Sequence, residues 1–161
     1  RTLNILYTTY VRSILEYACI VWSPFYKTHI DRIESVQNKY ITFIMRSLPY
    51  GVRGSPKLCK IYAGLNNLCD RREFFKICFM FKLLNNICDA PSILHTLKFN
   101  VPQYAVRKVP LFYIETYGQY YALYSPLNSI LLACNLVSAN VDFFNDTFNN
   151  FKATLRRILY N

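Results

Sequence analysis

Leu15-Glu16-Tyr17-Ala18-Cys19-Ile20-Val21-Trp22-Ser23-Pro24, followed by Arg32-Ile33-Glu34-Ser35-Val36-Gln37, decides how this chain is read. The first stretch ends a run in which Leu3, Leu6, Tyr7, Tyr10, Val11, Ile14, Tyr17, Ala18 and Val21 recur every three or four residues, the helical period. That run predicts a helix from about Leu3 to Val21 with those residues turned inward. Pro24 disfavours helical geometry at Ser23, so the helix must stop near Trp22. Trp22 is expected to anchor the core and set the angle between two helices. The second stretch lies in a helix beginning near Thr28, with Asp31 in its first turn, where the helix dipole favours an anion. Ile30, Ile33, Gln37, Tyr40, Ile44 and Leu48 form its expected inner stripe, with Gln37 hydrogen-bonded at the edge of the helix interface. Pro49 and Gly51 end it.

Downstream the punctuation is similar. Ser55-Pro56 supplies a cap and a first-turn proline for a short helix closed by Gly64. Asn67 with Asp70 three residues on resembles a capping box, opening a phenylalanine-rich helix to about Asn86. That helix is apolar nearly all round, which predicts a central position, with Phe79 among its structural residues. Asp89 and Pro91 mark another short helix to Leu97. Residues 98–124 lose the helical pattern, and their short extended pieces allow one weak hairpin. A helix follows Ser125-Pro126, and a last one is expected from about Asp142 to Tyr160, with Phe144, Phe148, Phe151, Leu155 and Ile158 on one stripe. The expected fold is all-α, a bundle of about six or seven helices with an irregular, partly extended insert at 98–124. Residues 1–97 would form a helical bundle with a basic face, and 98–161 an extension packed on it as one compact unit.

Composition bounds what such a domain does. The 161 residues are 53% hydrophobic and 17% aromatic, against disorder. Net charge is +10, and residues 1–110 hold 16 Lys/Arg and 6 Asp/Glu while the remainder is neutral. That asymmetry suits an acidic partner. The six cysteines form no Cys-x-x-Cys pair, so neither a zinc site nor a disulfide framework is expected, only reduced thiols of an intracellular protein in the nucleus or cytoplasm. The uncharged run 116–141 is broken by Gly118, Pro126 and Asn128, so no membrane span is expected and the chain reads as soluble.

No catalytic site is expected, and no metal ligands. Asp31, Asp70, Asp89 and Asp142 read as helix-start residues, no carboxylate pair has acid–base or two-metal spacing, and no glycine-rich phosphate loop occurs. His29 and His95 lack a nucleophile arrangement. The basic residues point elsewhere. Arg32, Ser35, Lys39, Thr42 and Arg46 follow spacings of three and four along one helix face, opposite the apolar stripe. Lys and Arg neutralise phosphates while Ser and Thr add hydrogen bonds, so such a row can follow a nucleic-acid backbone. Arg12, Lys27, Arg53, Lys57 and Lys60 add cations on adjacent segments. Tyr26, beside Pro24 and Lys27, is the aromatic residue best placed to stack on a base.

These motifs resemble the segment after the polymerase palm in reverse transcriptases of LINE-type, jockey-like non-LTR retrotransposons. The Trp22-Ser23-Pro24 turn and the Arg-Ile-Glu-x-Val-Gln signature are joined by Asp70-Arg71-Arg72, Phe81-Lys82-Leu83-Leu84-Asn85 and Phe99-Asn100-Val101-Pro102. Tyr124-Ser125-Pro126-Leu127-Asn128 and Asp142-Phe143-Phe144 with Phe151-Lys152 complete the set. The resemblance implies the thumb and C-terminal extension of an RNA-directed DNA polymerase, whose helices grip the template–primer duplex. It implies that the chain begins after the palm, whose aspartates hold the metal ions. No Tyr/Phe-Ala-Asp-Asp motif occurs here, so this chain alone is expected to be inactive and to carry no cofactor, with Mg2+ belonging to the palm. The implied partners are the template–primer duplex and the upstream palm and fingers, with no membrane and no small-molecule substrate. Ser129, where those elements often carry arginine, is a departure, and few basic residues lie between Val109 and Lys152. The alternative reading is a free-standing helical interaction module, or an inactive relic, derived from such an element.

Overall fold

A computed structural model describes residues 2–46, 55–101, 109–115 and 124–160. The predicted end of the second helix at Leu48, Pro49 and Gly51 lies outside these residues, as do Arg53, Pro102 and Gly118. The described chain is all-α. Its helices are α1 (Thr2–Leu6), a π-helical segment (Tyr7–Arg12), α2 (Ser13–Glu16), α3 (Cys19–Trp22), α4 (Lys27–Met45) and α5 (Pro56–Tyr62). They continue with α6 (Leu68–Leu84), α7 (Pro91–Thr96), α8 (Pro126–Val137) and α9 (Phe148–Tyr160). Among the described residues there is no strand. The extended pairing expected after residue 98 is one antiparallel bridge, Phe99 with Phe112, flanked by Asn100 N–H to Leu111 O at 3.0 Å and Tyr113 N–H to Lys98 O at 2.8 Å. The chain divides into two compact units, Arg1–Arg72 and Glu73–Asn161.

In the first unit Tyr7, Ile41, Ile44, Cys59 and Leu65 form the core, with Tyr40, Met45 and Ala63 packed against it. The rings of Tyr7 and Tyr40 stack with centroids 4.0 Å apart. Side-chain hydrogen bonds tie the elements together around this core. Tyr7 Oη donates to Gln37 Oε1 (3.2 Å), and Gln37 Nε2 donates to Asn66 O (2.9 Å). Tyr40 Oη donates to Asn4 Oδ1, and Asn4 Nδ2 donates to Ala63 O at 3.0 Å. Gln37 is therefore not at an interface edge but fully buried, tolerated there because both halves of its amide are used.

The predicted inner face of the first helix is corrected. Tyr7 is buried, yet Leu3, Leu6, Tyr10, Val11, Ile14, Tyr17 and Val21 are exposed, Ile14 at 74% and Tyr17 at 79%. For the residues after Tyr7 the cause is local geometry. The π-helical turn at Tyr7–Arg12 uses i→i+5 bonding, so residues counted at three and four drift off the core side. Ala18 then takes φ 48°, a left-handed conformation that breaks the run before α3. The stop at Trp22 is as expected, with Ser23 extended at ψ 119° before Pro24. Trp22, however, is 40% exposed, its Nε1 donating to Tyr17 O. It braces a turn and is no core anchor.

In the second unit the apolar side chains of α6, α8 and α9 make the core: Ile77, Met80, Phe81, Leu83, Ile130, Cys134, Phe151 and Leu155 are nearly inaccessible. Phe81, Phe151, Phe143 and Phe112 form a chain of ring contacts at 4.2, 5.2 and 6.0 Å, in tilted and edge-on arrangements that aromatic quadrupoles favour. Phe79 is only half-buried, so the central phenylalanine of α6 is Phe81. Asn135 brackets Phe112, accepting from its N–H and donating to its carbonyl, both at 2.9 Å, which substitutes for a missing neighbouring strand.

The proline starts hold: Pro56, Pro91 and Pro126 each open a helix, and Ser125 Oγ accepts from Asn128 N–H, whereas Ser55 makes no side-chain cap bond. Gly64 after α5 adopts φ +65°, which a side chain would resist. The last helix begins later than expected. Asp142 accepts from the N–H groups of Phe144 (2.8 Å) and Asn145 (3.1 Å), a turn that holds its carboxyl below the usual carboxylate range. The helix therefore starts at Phe148, and Phe143 is buried in place of Phe144, which is 52% exposed. The six cysteines form no disulfide. Burial pushes the Cys78 thiol up to about 11 and Cys134 still higher. Among the described residues no helix is long and apolar enough to cross a membrane.

Candidate nucleic-acid interface

α4 carries the predicted basic row, and its inward side holds the helix in place. Gln37, Ile41 and Ile44 are its buried residues. One turn before Gln37, Glu34 Oε1 accepts from the Cys69 N–H at 2.9 Å, so a carboxylate on α4 caps the first turn of α6. Lys60 Nζ lies 3.8 Å from Glu34 Oε2 and donates to Asn67 Oδ1 at 3.1 Å. Asn67 Nδ2 in turn donates to Asp70 Oδ2, so the expected Asn67–Asp70 pairing exists between side chains. Glu34 and Gln37 of the Arg-Ile-Glu-x-Val-Gln signature are thus structural hydrogen-bonding residues.

The outward side carries the charge. Arg32, Lys39, Thr42 and Arg46 are exposed, and Ser35 is half-buried. Ser35 Oγ donates back to Arg32 O (2.7 Å) and Thr42 Oγ1 to Asn38 O (3.0 Å), which leaves each hydroxyl oxygen able to accept but spends its proton. Among the described residues no carboxylate makes an ion pair with Arg32, Lys39 or Arg46. Asp31 is exposed and sits about a quarter-turn away from Arg32.

The remaining predicted cations divide. Lys27 is exposed at the start of α4, and Lys57 is exposed on α5. Arg12 is not part of the row: its Nε lies 3.9 Å from Glu16 Oε2. The same carboxylate receives both Nε and Nη2 of Arg71, a bidentate pair that ties α2 to α6. Arg53 lies outside the described residues. Among the described residues no three His, Cys, Asp or Glu side chains are grouped as metal ligands.

Two features escaped the reading of the sequence, Phe43 and Arg72. Phe43, four residues after Lys39 and three before Arg46, lies within the basic row and is 65% exposed; its spacing was visible, but an isolated phenylalanine reads as core. Tyr26, which the sequence did single out, is the N-cap residue at the other end, 61% exposed, its ring 6.2 Å from that of His29 and 4.0 Å from that of Phe25. Arg72 is buried at 1% exposure, with Nη1 and Nη2 lacking hydrogen-bond partners among the described residues, and only its place in an apolar helix hinted at that. No family model, curated protein or solved structure matches the chain.

Proposed function

We propose that this chain holds template–primer nucleic acid for an RNA-directed DNA polymerase of a mobile element, contacting phosphates with the outer face of α4 while chemistry belongs to a palm outside this chain. The observation that carries the reading is the row Arg32, Lys39 and Arg46. Three exposed cations at one-helical-face spacing, Arg32 and Lys39 on an α-helix of 19 residues and Arg46 at its C-cap, have no carboxylate partner among the described residues. A rigid helix presenting charge about every 10 Å can meet successive groups of phosphates without consulting base sequence. The motif resemblance supplies the polymerase context, and the excess charge of residues 1–110 agrees with an anionic partner.

The test is a salt series of binding to an RNA–DNA hybrid. Each lost phosphate contact removes roughly 0.9 from the slope of log affinity against log salt on duplex DNA, so Arg32→Ala, Lys39→Ala and Arg46→Ala together should flatten it by about two to three. Helicity should be unchanged, since these side chains face away from the core. An unchanged slope in a folded variant would overturn the reading. That result would favour a second one, a helical protein-interaction module, for which the exposed apolar run Leu6, Tyr10, Ile14, Tyr17 and Val21 is the specific support.

A further inference from the structure

Phosphate contacts alone do not say whether the bound strand is paired. The exposed aromatic residues beside the row do. In a duplex the base faces are covered by their neighbours, and a ring on the phosphate-contacting face of a helix has nothing to stack on. An unpaired strand presents free base faces, and aromatic side chains interleaved with cations are what such strands recognise. α4 has that arrangement. Phe43 stands between Lys39 and Arg46 on one row, 65% exposed. Tyr26 stands at the other end as the extended N-cap residue, 61% exposed, three residues before His29 and six before Arg32. Phe25, 42% exposed, packs beside the Tyr26 ring with centroids 4.0 Å apart. Tyr26 and Phe43 are 17 residues apart, about 25 Å along the helix axis, a span that an extended strand of roughly four nucleotides covers.

We infer that the outer face of α4 binds single-stranded nucleic acid, with Phe43 and Tyr26 stacking on unpaired bases while Arg32, Lys39 and Arg46 hold the phosphates between them. This rests on the nucleic-acid reading above and specifies its ligand as an unpaired strand, such as one adjoining a duplex. Charge complementarity selects the occupant: an apolar peptide would leave three exposed cations along its length unanswered, while a polyanion with planar bases answers both kinds of group. Asp31, off the row, does not interrupt it.

The experiment compares two single strands of equal length and charge, a thymidine oligonucleotide and the same backbone carrying abasic sites, by anisotropy of an end label at fixed salt. The wild-type chain should bind the base-bearing strand about tenfold more tightly for each stacked base. Phe43→Leu, which keeps the apolar bulk, should lose most of that preference, and Phe43→Leu with Tyr26→Leu should bind both strands equally. The salt slope of the residual binding should remain that of the wild type. Equal affinity of the wild type for the two strands, or a preference untouched in the folded double variant, would overturn the inference. If hybrid binding then persists with its normal salt slope, the duplex-holding reading survives alone. If the base-bearing strand is preferred and the hybrid is not bound, the inference stands and the duplex reading falls.

Discussion

Gln37 is the residue on which the first unit should depend most, and the dependence can be worked from its contacts. Its side chain is fully buried, accepts from Tyr7 Oη at 3.2 Å and donates to Asn66 O at 2.9 Å. Replacing it by leucine keeps the bulk and adds apolar contact. It also strands the Tyr7 hydroxyl, itself in the core, and the Asn66 carbonyl. A buried polar group left without its partner costs about 1–3 kcal/mol, which applies in full to the Tyr7 hydroxyl and only in part to the carbonyl of the exposed Asn66, about 2–4 kcal/mol together. The better transfer energy of leucine offsets on the order of 1 kcal/mol. Gln37→Leu should therefore destabilise by about 1–3 kcal/mol, a large share of a marginal domain's stability. Tyr7→Phe strands only the Gln37 oxygen and should cost about 1–2 kcal/mol. In the double variant the hydroxyl is gone together with its acceptor, so the cost should fall short of the sum by about 1 kcal/mol or more. Urea denaturation of the four proteins, followed by circular dichroism, gives the cycle directly. A loss under about 0.5 kcal/mol for Gln37→Leu, or additive losses in the double variant, would refute this account and make the buried amide a bystander.

Two further outcomes are expected. Burial, with smaller contributions from Glu16, Glu34 and Tyr40 opposed by Arg12, pushes the Tyr7 phenol from 10.0 up to about 12; the unfolded phenol ionises first, so stability should be intact below about pH 10 and fall by about 2–3 kcal/mol as pH approaches 12. The comparison is with Tyr7→Phe, whose alkaline loss should be smaller, and equal losses would count against a buried phenol. In the second unit Phe81→Ala should cost about 3–5 kcal/mol, because the ring meets Phe151 at 4.2 Å and is nearly inaccessible, while Trp22→Ala in the first should cost under about 1 kcal/mol; chemical denaturation ranking them the other way would contradict the burial of both.

What could be read in advance depended on how far the deciding physics extends along the chain. Pro56, Pro91 and Pro126 act on their own backbone and the residue before them, so helix starts there were legible from two or three letters. Asp142 was recognised as a capping type, but the same chemistry closes a turn as readily as it opens a helix. That ambiguity moved the start of α9 and exchanged Phe144 for Phe143 in the core. The first helix failed for a different reason. Hydrophobic period is evidence for a face only while the helix keeps 3.6 residues per turn, and the π-helical turn at Tyr7–Arg12 breaks that premise without any proline or glycine to announce it. Glu34 capping the first turn of α6 was beyond reach as well, since it joins residues 35 apart.

The candidate site shows the same division. Arg32, Lys39 and Arg46 were legible because they share a helix with the apolar residues that orient it, and burying Gln37, Ile41 and Ile44 turns the opposite side outward. By the same geometry Phe43 had to be exposed, four residues from Lys39 and three from Arg46. It was missed because composition argued against position: most phenylalanines here do pack inward. Where the two conflict on a helix whose orientation is settled, position should be preferred, because a helix cannot rotate one side chain to its far face. An aromatic residue forced outward onto a basic row with no carboxylate partner among the described residues gains nothing from folding. Its contribution has to be sought in what that row touches, and a planar, anionic strand is the ligand that would use the ring and the charges together.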